Sequence, residues 1–372
     1  VGTTVEYTES VLASPVIATE QLAALTEDMN AGDVDALIMI GGNPSFSAPA
    51  DIPFADALAN VAFSAHLSLY NDETSPGSTW HIPSTHYIEE WSDGRAFDGT
   101  ASIVQPPIGP LWDTVHSAHE ILAALNGTEG TPFEILQANW ESNYEGDDFE
   151  SFWRLALHDG VVPDSAFEAT SPSLRGDLAS ALGEAGFGQS AGLEIVFRPD
   201  ATIWDGRFAN NAWLQELPTP LTKVTWDMAA LVSPETAEEL GVVNEEVVAL
   251  TLDGRTIEAP IFTQIGMAPD TIVVTLGYGG DITAQEDAPS NRNVYGMRTT
   301  TNMWHGVSVR VENTGATYNL ATSRWVEDMP ETDAARAGTL RTFIDDPDFA
   351  QIEHSGGANL IPPIIYDGYA WG

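Results

Sequence analysis

The sequence predicts a mixed chain in which a parallel α/β sheet is followed by a compact β-barrel. Two patterns lead to this fold class. In the first part, strand-like and helix-like segments alternate, as they do in parallel β-α-β units. In the later part, short strand-like runs with one brief helix are typical of a β-barrel of about 100 residues. The chain has 372 residues, 43% of them hydrophobic, which is enough for two or three domains.

The first part begins with a helix. Its apolar residues repeat at helical spacing: Leu22, Leu25 and Met29. Thr19 is the expected N-cap, and Asn30-Ala31-Gly32 is the expected end, because glycine readily adopts the left-handed conformation found there. A buried strand is predicted at Ala36–Ile40, where apolar residues run together without interruption.

The next segments complete a β-α-β unit. The turn Gly41-Gly42-Asn43-Pro44 ends the strand, a helix is predicted over Pro53–Asn60, and apolar residues alternate from Val61 to Leu69. This order implies a parallel sheet with right-handed connections. A further amphipathic helix is predicted over Val115–Leu125.

Helical pieces broken by glycine and proline are predicted from about 131 to 190, and we interpret them as an elaboration of the sheet domain. One helix face is expected to pack inward: Phe149, Phe152, Trp153 and Ala156. The strand-like run Leu193–Phe197 follows this elaboration.

The pattern changes near Leu217-Pro218-Thr219-Pro220, where the predicted barrel begins. Its predicted strands are Ala229–Val232, Val247–Leu252, Arg255–Phe262, Thr271–Leu276 and Val307–Val311. A brief helix is expected over Pro234–Leu240. Asp253-Gly254 predicts a hairpin, because a type I′ turn needs positive φ at both central residues.

The composition excludes several classes of function. The chain has 55 acidic and 13 basic residues and a net charge of −42. Such a surface repels phosphate backbones, so nucleic acid is not an expected partner. The bias runs through the whole chain and resembles that of proteins from salt-loving organisms, where it bears on solubility and self-repulsion. The chain has no cysteine, which excludes disulfides and thiolate-held metals or iron–sulfur clusters in these residues.

No apolar run in the sequence reaches the roughly 18 residues that a membrane span needs. Only short stretches occur, at Ala36–Ile40 and Ile361–Ile365, and we expect no direct membrane span. The sequence opens at Val1 in strand-like residues, so we expect the true start, with any export signal, to lie upstream.

Gly188-Gln189-Ser190-Ala191-Gly192 has the spacing of the nucleophile elbow of α/β-hydrolases. In that elbow a strand precedes the serine and a helix follows it. Here the order is reversed, so the segment predicts a helix-to-strand loop. The same reversal argues against a dinucleotide-binding loop at Gly186–Gly192. The only lysine, Lys223, is followed by Val224, which excludes a Walker phosphate loop.

A candidate metal site lies in the segment Trp80–Trp91. If its second half is helical, His86 and Glu90 share one face, and His81 could turn back as a third ligand. Hydrogen-bonded histidines in an aromatic-rich loop are the commoner explanation. A weaker pair of the same kind lies nearby: His116 and His119.

The turn Gly41-Gly42-Asn43-Pro44 is the best-placed candidate for ligand binding. It has the strand-before-helix order and lies at the carboxyl edge of the predicted parallel sheet, where ligands usually bind. A tight turn that requires glycine explains these residues equally well.

Four stretches together resemble one family, the molybdopterin-oxidoreductase-like iron–sulfur subunit of alternative complex III, a quinol:electron-acceptor oxidoreductase. They are Asp35–Asp51 (DALIMIGGNPSFSAPAD), Asp72–Asp98 (DETSPGSTWHIPSTHYIEEWSDGRAFD), Val104–Ile108 (VQPPI) and Trp213–Pro234 (WLQELPTPLTKVTWDMAALVSP). The resemblance covers nearly the whole chain.

The resemblance implies a domain organisation. Residues 1–215 would form a Rossmann-like α/β domain, with its helical elaboration at about 131–190. Residues 216–322 would form a double-psi β-barrel of the molybdopterin dinucleotide-binding type, and residues 323–372 an extended arm or linker. In that family the chain continues upstream into the first half of the molybdoenzyme-like fold and downstream into a ferredoxin-like domain that holds iron–sulfur clusters.

The resemblance also implies partners and a location. The partners would be the ferredoxin-like cluster domain of the same polypeptide, a multihaem cytochrome c and membrane subunits. The assembly would lie at the extracytoplasmic, periplasmic face of a membrane.

The family implies a non-catalytic scaffold in a quinol-oxidising respiratory complex, because its molybdoenzyme-like part is understood to lack pterin and metal. Molybdoenzyme barrels commonly show a Gly-Asp turn where this chain has Asn244-Glu245-Glu246-Val247, and added negative charge is unfavourable beside a pyrophosphate. Independently, electron transfer needs a redox centre, and this chain offers no thiolates and no convincing histidine set.

We therefore assign no catalytic, cofactor-binding or metal-ligating residue. The aromatic residues expected to act as packing and interface anchors are Trp80, Trp91, Tyr366, Tyr369 and Trp371. The alternative is part of a genuine molybdopterin-dependent oxidoreductase, with pterin bound at the barrel and the turn at Gly41–Asn43 lining the cleft.

Overall fold

The computed structural model describes residues 4–174, 176–184, 192–283, 292–322 and 338–349. The chain divides into two compact units, 1–322 and 323–372. In the second unit the described part includes one short helix, at Leu340–Asp345, capped by the Thr339 side chain. In the described part of the chain, no helix is long and apolar enough to cross a membrane.

The first unit begins with a three-stranded parallel sheet and its helices. These elements are α1 (Ala18–Ala31), β1 (Ala36–Ile40), α2 (Pro44–Ser47), α3 (Phe54–Leu58), β2 (Phe63–Ser68) and β3 (Trp80–Pro83). The strand order is β1-β2-β3, and both pairs are parallel. The predicted β-α-β unit is therefore confirmed.

The start of α1 differs from the prediction. The helix begins at Ala18 with Ile17 at the N-cap position and no side-chain cap, so Thr19 is not the N-cap. Its end is as predicted, with Gly32 in the left-handed conformation at φ 80°. The apolar face of α1 packs with α3 on one side of the sheet, in a core that contains Met29, Met39, Phe54 and Leu58.

The middle of the chain is a hairpin with helices packed on it. Its elements are β4 (Ser92–Arg95), β5 (Ala101–Val104), α4 (Ala118–Leu125), α5 (Pro132–Ser142), α6 (Phe149–Asp159) and α7 (Leu178–Glu184). α4 and α5 begin with capping boxes, which satisfy the free N–H groups of their first turns. Trp153 and Ala156 of α6 are buried against Ala101 and Ile103 of β5, and the predicted inward face of α6 is confirmed.

The later part of the first unit is a mixed seven-stranded sheet. Its elements are β6 (Glu194–Arg198), α8 (Ala212–Glu216), β7 (Ala230–Val232), α9 (Pro234–Leu240), β8 (Glu246–Leu252), β9 (Arg255–Thr263), β10 (Thr271–Thr275), β11 (His305–Val307) and β12 (Arg310–Thr317). The strand order is β11-β6-β10-β7-β9-β8-β12. β6, which precedes residue 215, pairs with β10 and β11, so this strand is part of the seven-stranded sheet.

The seven-stranded sheet is strongly curled. β11 and β12 lie at its opposite edges, although only Ser308 and Val309 separate them in sequence. The three peptide units from Val307 to Arg310 span at most about 11 Å, so the two edges must approach each other. A Cβ on Gly306 of β11 would lie 2.5 Å from Leu252 of β8, which agrees with this curvature.

Two predictions for this region have clear outcomes. The hairpin at Asp253-Gly254 is confirmed, with φ values of 49° and 80° between the antiparallel strands β8 and β9. The single strand predicted over Val307–Val311 is wrong, because the chain leaves one edge of the sheet at Val307 and begins the other edge at Arg310. The sheet is a curled half-barrel, and the double-psi barrel stays a prediction.

Candidate functional site

The carboxyl edge of the parallel sheet holds the turn that sequence analysis selected. Gly41 and Gly42 adopt positive φ values of 65° and 71°, which glycine tolerates and most other residues do not. The N–H of Gly41 donates to the Leu67 carbonyl at 2.8 Å, so the ladder between β1 and β2 continues to the first residue of the turn. This geometry accounts for the glycines by backbone conformation.

Buried polar groups form hydrogen bonds with this turn and with one another. His66 of β2 is fully buried, and its Nε2 lies 3.0 Å from the Gly42 carbonyl oxygen. A carbonyl can only accept, so Nε2 carries a proton. Nδ1 lies 3.0 Å from Ser75 Oγ, and Asp72 in turn accepts from the N–H groups of Thr74 and Ser75. The polar atoms at this edge are therefore used within the protein.

Glu73 connects this edge to the seven-stranded sheet. Its Oε2 accepts from Asn43 Nδ2 at 2.5 Å, and its Oε1 accepts from the N–H of Asp281 at 2.6 Å. Phe46 packs edge-to-face on Tyr295, with ring centroids 5.1 Å apart. The place where an α/β sheet usually binds its ligand is thus closed by contacts between two parts of the same chain.

A second connection lies beside the first. Asp51 accepts from the N–H and Oγ of Thr300, at 2.9 and 2.6 Å, and the N–H of Ala50 donates to the Arg298 carbonyl at 2.7 Å. Burial alone would raise the pKa of Asp51, but the hydrogen bonds from Thr300 outweigh it and lower the pKa.

The remaining cleft between these parts has a volume of about 210 Å³ and is lined by residues of α2, of α3 and of the segment between them, and by Asn293, Tyr295 and Gly296. Small-molecule sites typically measure roughly 300–1,000 Å³. The cleft is therefore small for a cofactor that carries a dinucleotide.

Loops next to the seven-stranded sheet hold a buried ion pair that sequence analysis missed. Asp227 and Arg292 are both buried, and Arg292 Nη1 donates to Asp227 Oδ1. Tyr318 donates to the other carboxylate oxygen at 2.8 Å, and the Arg292 guanidinium lies 3.8 Å from the centroid of the Tyr318 ring. Burial raises the pKa of Asp227, while Tyr318 and Arg292 oppose this effect. The sequence feature that could have indicated this ion pair is an aspartate directly before the apolar run at 228–232.

The glycine-containing loop after β10 borders a very small cavity. Gly277, Gly279 and Gly280 line it together with Gln215 and Arg292, and its volume is about 10 Å³, the space of a single water. The amide oxygen of Gln215 is buried and has no hydrogen-bond partner among the described residues.

Glu245, in the segment that departs from the molybdoenzyme pattern, has a structural role. Its φ is 72°, the left-handed conformation that a glycine would adopt more easily. Its Oε1 accepts from the N–H of Leu320 at 3.0 Å, and its carbonyl accepts from the N–H of Tyr318. This carboxylate thus fixes the chain that follows β12.

Two buried arginines beside the curled sheet are engaged within the protein instead of being free to bind the pyrophosphate of a pterin dinucleotide. A pyrophosphate needs cations or free N–H donors. Arg292 is neutralised by Asp227, and Arg298 is buried with its guanidinium 5.1 Å from the ring centroids of Tyr295 and Trp304. Glu73 places a negative charge between the two sheets.

The candidate metal site in the segment Trp80–Trp91 is not assembled in the structure. Residues 87–89 are a turn and residue 90 is a bend, so the expected helix is not formed. Glu90 accepts from Thr85 Oγ1 at 2.5 Å, and His81 Nε2 lies 3.1 Å from Ser68 Oγ. In the described ranges, no group of three or more His, Cys, Asp or Glu side chains is arranged to hold a metal ion.

The other sequence candidates are separated. His119 Nε2 lies 3.1 Å from Ser92 Oγ, whereas His116 pairs through its backbone with the end of β3. The elbow-like motif with Ser190 lies outside the described residues, although the predicted strand after it is confirmed as β6.

The expected aromatic anchors have different environments. Trp80 is 61% exposed, whereas Trp91 is half-buried and packs on Phe133 with ring centroids 4.9 Å apart. Three others lie outside the described residues: Tyr366, Tyr369 and Trp371.

The fold and these contacts define a mixed α/β chain whose parallel sheet is joined to a curled mixed sheet. No family model matches the sequence, and no curated protein matches it. Among solved structures, acetylene hydratase from Pelobacter acetylenicus has a similar fold, with a TM-score of 0.51 and 12% identity over 78% of this chain. This chain covers 46% of that protein, about half its length. At this identity the likeness shows the fold alone.

Proposed function

We propose that this chain is a non-catalytic scaffold within a quinol-oxidising electron-transfer complex of the alternative complex III type, where it is the C-terminal part of a molybdoenzyme-like region. The structural likeness to acetylene hydratase is compatible with a molybdoenzyme-like fold. The role in a respiratory complex rests on the sequence resemblance alone.

The contact of Glu73 with the loop after β10 is the observation that carries the scaffold role. A cofactor between the two sheets would have to displace Glu73 from Asn43 and Asp281, and Phe46 from Tyr295. Each displaced group would lose a hydrogen bond or apolar contact, at roughly 1–3 kcal/mol for a buried polar group left unpaired. These direct contacts favour a role in which the two sheets are held rigidly together.

Such a rigid body would position its neighbours. In this proposal the neighbours are a ferredoxin-like cluster domain of the same polypeptide, a multihaem cytochrome c and membrane subunits. The complex would lie on the extracytoplasmic side of the membrane, and the iron–sulfur clusters would belong to the neighbouring domain.

Metal analysis of the complete polypeptide tests the proposal. We expect iron without stoichiometric molybdenum or tungsten, measured by plasma mass spectrometry on purified protein. Molybdenum or tungsten near one atom per polypeptide would contradict it and favour the alternative, a genuine molybdopterin-dependent oxidoreductase with pterin at the curled sheet. The absence of both iron and quinol oxidation would contradict the assignment to this complex.

A variant of Glu73 gives an independent measurement on the purified complex. Glu73→Gln changes the contact between the sheets and, in a scaffold, leaves quinol turnover per folded complex unchanged. A loss of turnover without a loss of folded protein would place this cleft in the chemistry. The matched control is Glu27→Gln, which changes an exposed acid of α1.

A further inference from the structure

A buried side chain beside the seven-stranded sheet has a hydrogen-bond acceptor that the protein does not use. Gln215 of α8 is 2% exposed, and its Oε1 has no hydrogen-bond partner among the described residues. Its Nε2 donates to the Ala209 carbonyl and also to Thr283 Oγ1, the latter at 3.1 Å. Most buried polar side-chain atoms in proteins have a partner, so this oxygen requires an explanation.

Exchanging the oxygen and nitrogen of this amide does not remove the unpaired atom. The Ala209 carbonyl can only accept, so the atom of Gln215 that faces it must be the nitrogen. The exchanged amide would place two acceptors against each other and leave an NH₂ group in the position of the oxygen. The backbone is also fixed here, because the carbonyl of Gln215 accepts from the N–H of Trp226 at 3.0 Å. The free acceptor is therefore a property of the site.

Gln215 lines a cavity that has the size of one water molecule. The volume of this cavity is about 10 Å³, and a single water requires roughly 10–15 Å³. The residues around it come from α8, from the loop after β10 and from the ion pair of Asp227 and Arg292. A ligand larger than water does not fit, which excludes a cofactor or an organic substrate.

The cavity offers a water both kinds of hydrogen-bond partner. A buried water usually makes two to four hydrogen bonds. Gln215 Oε1 can accept one of them. Arg292 also lines the cavity, and its guanidinium has N–H donors in addition to the one that Asp227 Oδ1 accepts.

The charges around the cavity favour a neutral ligand over a cation. Asp227 is the carboxylate in the lining, and its two oxygens already accept from Arg292 and from Tyr318. The Arg292 guanidinium would repel a second cation. Burial raises the pKa of the Tyr278 hydroxyl, so this lining group stays neutral. The net charge of the lining is therefore zero.

We propose that this cavity binds one water molecule, which donates a hydrogen bond to Gln215 Oε1 and accepts one from Arg292. The water joins α8 to the buried ion pair and completes the polar network beside the curled sheet. The proposal uses only these contacts and does not depend on the redox role.

A high-resolution crystal structure of the complete polypeptide tests this site. We expect one fully occupied water about 2.5–3.0 Å from Gln215 Oε1. A cavity without electron density, or a protein donor bonded directly to this oxygen, would overturn the proposal. A second crystal soaked in rubidium chloride distinguishes water from a monovalent cation. An anomalous rubidium signal at the site would also overturn it.

Oxygen-17 magnetic relaxation dispersion counts the long-lived buried waters in solution. Gln215→Met removes the acceptor but keeps an unbranched side chain of similar length. The matched control is Gln21→Met, at an exposed position of α1. We expect Gln215→Met to lose one long-lived water relative to the unaltered protein and to the control, and equal counts in all three would overturn the proposal. The crystal structure uses the unaltered protein, so it decides the question if Gln215→Met does not fold.

Discussion

The carboxylate of Glu73 accepts a hydrogen bond from the N–H of Asp281 at 2.6 Å, although 208 residues separate them in sequence. The same carboxylate accepts from Asn43, which also accepts from Thr74 Oγ1 at 2.7 Å. Glu73 therefore links the glycine turn after β1, the end of β2 and the loop after β10. This link is one of several contacts that join the two sheets, together with those of Asp51 and Phe46.

Glu73→Gln should destabilise the protein by about 1–3 kcal/mol. Both partners of the carboxylate are N–H donors, so the amide nitrogen of glutamine would face a donor. Asn43 cannot compensate by rotating its amide, because its oxygen already accepts from Thr74. Urea unfolding measures the free energy of unfolding of this variant. The control is Glu27→Gln, which makes the same substitution at an exposed acid. Equal stabilities of the two variants would contradict the described link.

The ion pair between Asp227 and Arg292 should show strong coupling in a double-mutant cycle. Removing one partner leaves a buried charge, which typically costs about 3–5 kcal/mol. We expect Asp227→Asn and Arg292→Met each to lower the free energy of unfolding by that order, and the double variant to lose less than the sum of the two. Additive losses, within about 0.5 kcal/mol, would show that the two side chains do not interact.

The contact of Asp51 with Thr300 should make stability depend on pH. Hydrogen bonds from Thr300 lower the pKa of Asp51 below its ordinary value of 3.8. A lowered acid pKa contributes stability that is present above the unfolded-state pKa and is lost as pH falls through the folded-state pKa. The difference in melting temperature between the protein and Asp51→Asn should therefore shrink as pH falls from 6 toward and below 3.8.

Thr300→Val is the matched control for this pH dependence. It removes the hydroxyl donor but keeps the shape of the side chain, so part of the dependence at Asp51 should disappear. A difference between the protein and Asp51→Asn that stays constant over the whole pH range would contradict the role of these hydrogen bonds.

The net charge of −42 should make the protein more stable in salt. Added ions shorten the screening length from about 10 Å at 0.1 M to about 3 Å at 1 M, which weakens repulsion among the carboxylates. We expect the melting temperature to rise by several degrees over that range of KCl, as measured by calorimetry. A variant with Glu238→Gln and Glu239→Gln, two exposed acids of α9, should show a smaller rise. A melting temperature that falls with KCl would contradict repulsion among the carboxylates as a main contribution to the stability of the protein.

The sequence predicted the elements whose signals are local. The hairpin at Asp253-Gly254 follows from two residues that tolerate positive φ, and α9 was bounded correctly because proline begins it and glycine ends it. β3, β4 and β5 were missed because each has four residues that include a polar one, whereas the still shorter β7 lies in an uninterrupted apolar run. The break between β11 and β12 depends on the curvature of the whole sheet, which no local pattern encodes.

The site was harder to predict than the fold. The glycine turn after β1 was found because strand, turn and helix are consecutive, but its closure by Glu73 depends on a partner far away in sequence. The metal hypothesis for His81, His86 and Glu90 was wrong because it required a helix where the chain turns instead. The His81 ring instead contacts Ser68, the Glu90 carboxylate accepts from Thr85, and the backbone N–H of His86 donates to Glu89.

The close approach of Gly277 to Gly206 gives a last prediction, about the backbone that lines the small cavity. A Cβ at Gly277 would lie 2.5 Å from the Gly206 nitrogen, and the φ of Gly277 is 100°. Gly254 has a similar φ of 80° but no atom within 4 Å of its Cβ position. Gly254→Ala should therefore cost only the conformational term, roughly 1–2 kcal/mol, whereas Gly277→Ala must also move backbone, at about 1–3 kcal/mol more. Urea unfolding of the two variants separates these terms, and equal losses would show that the two backbones do not touch.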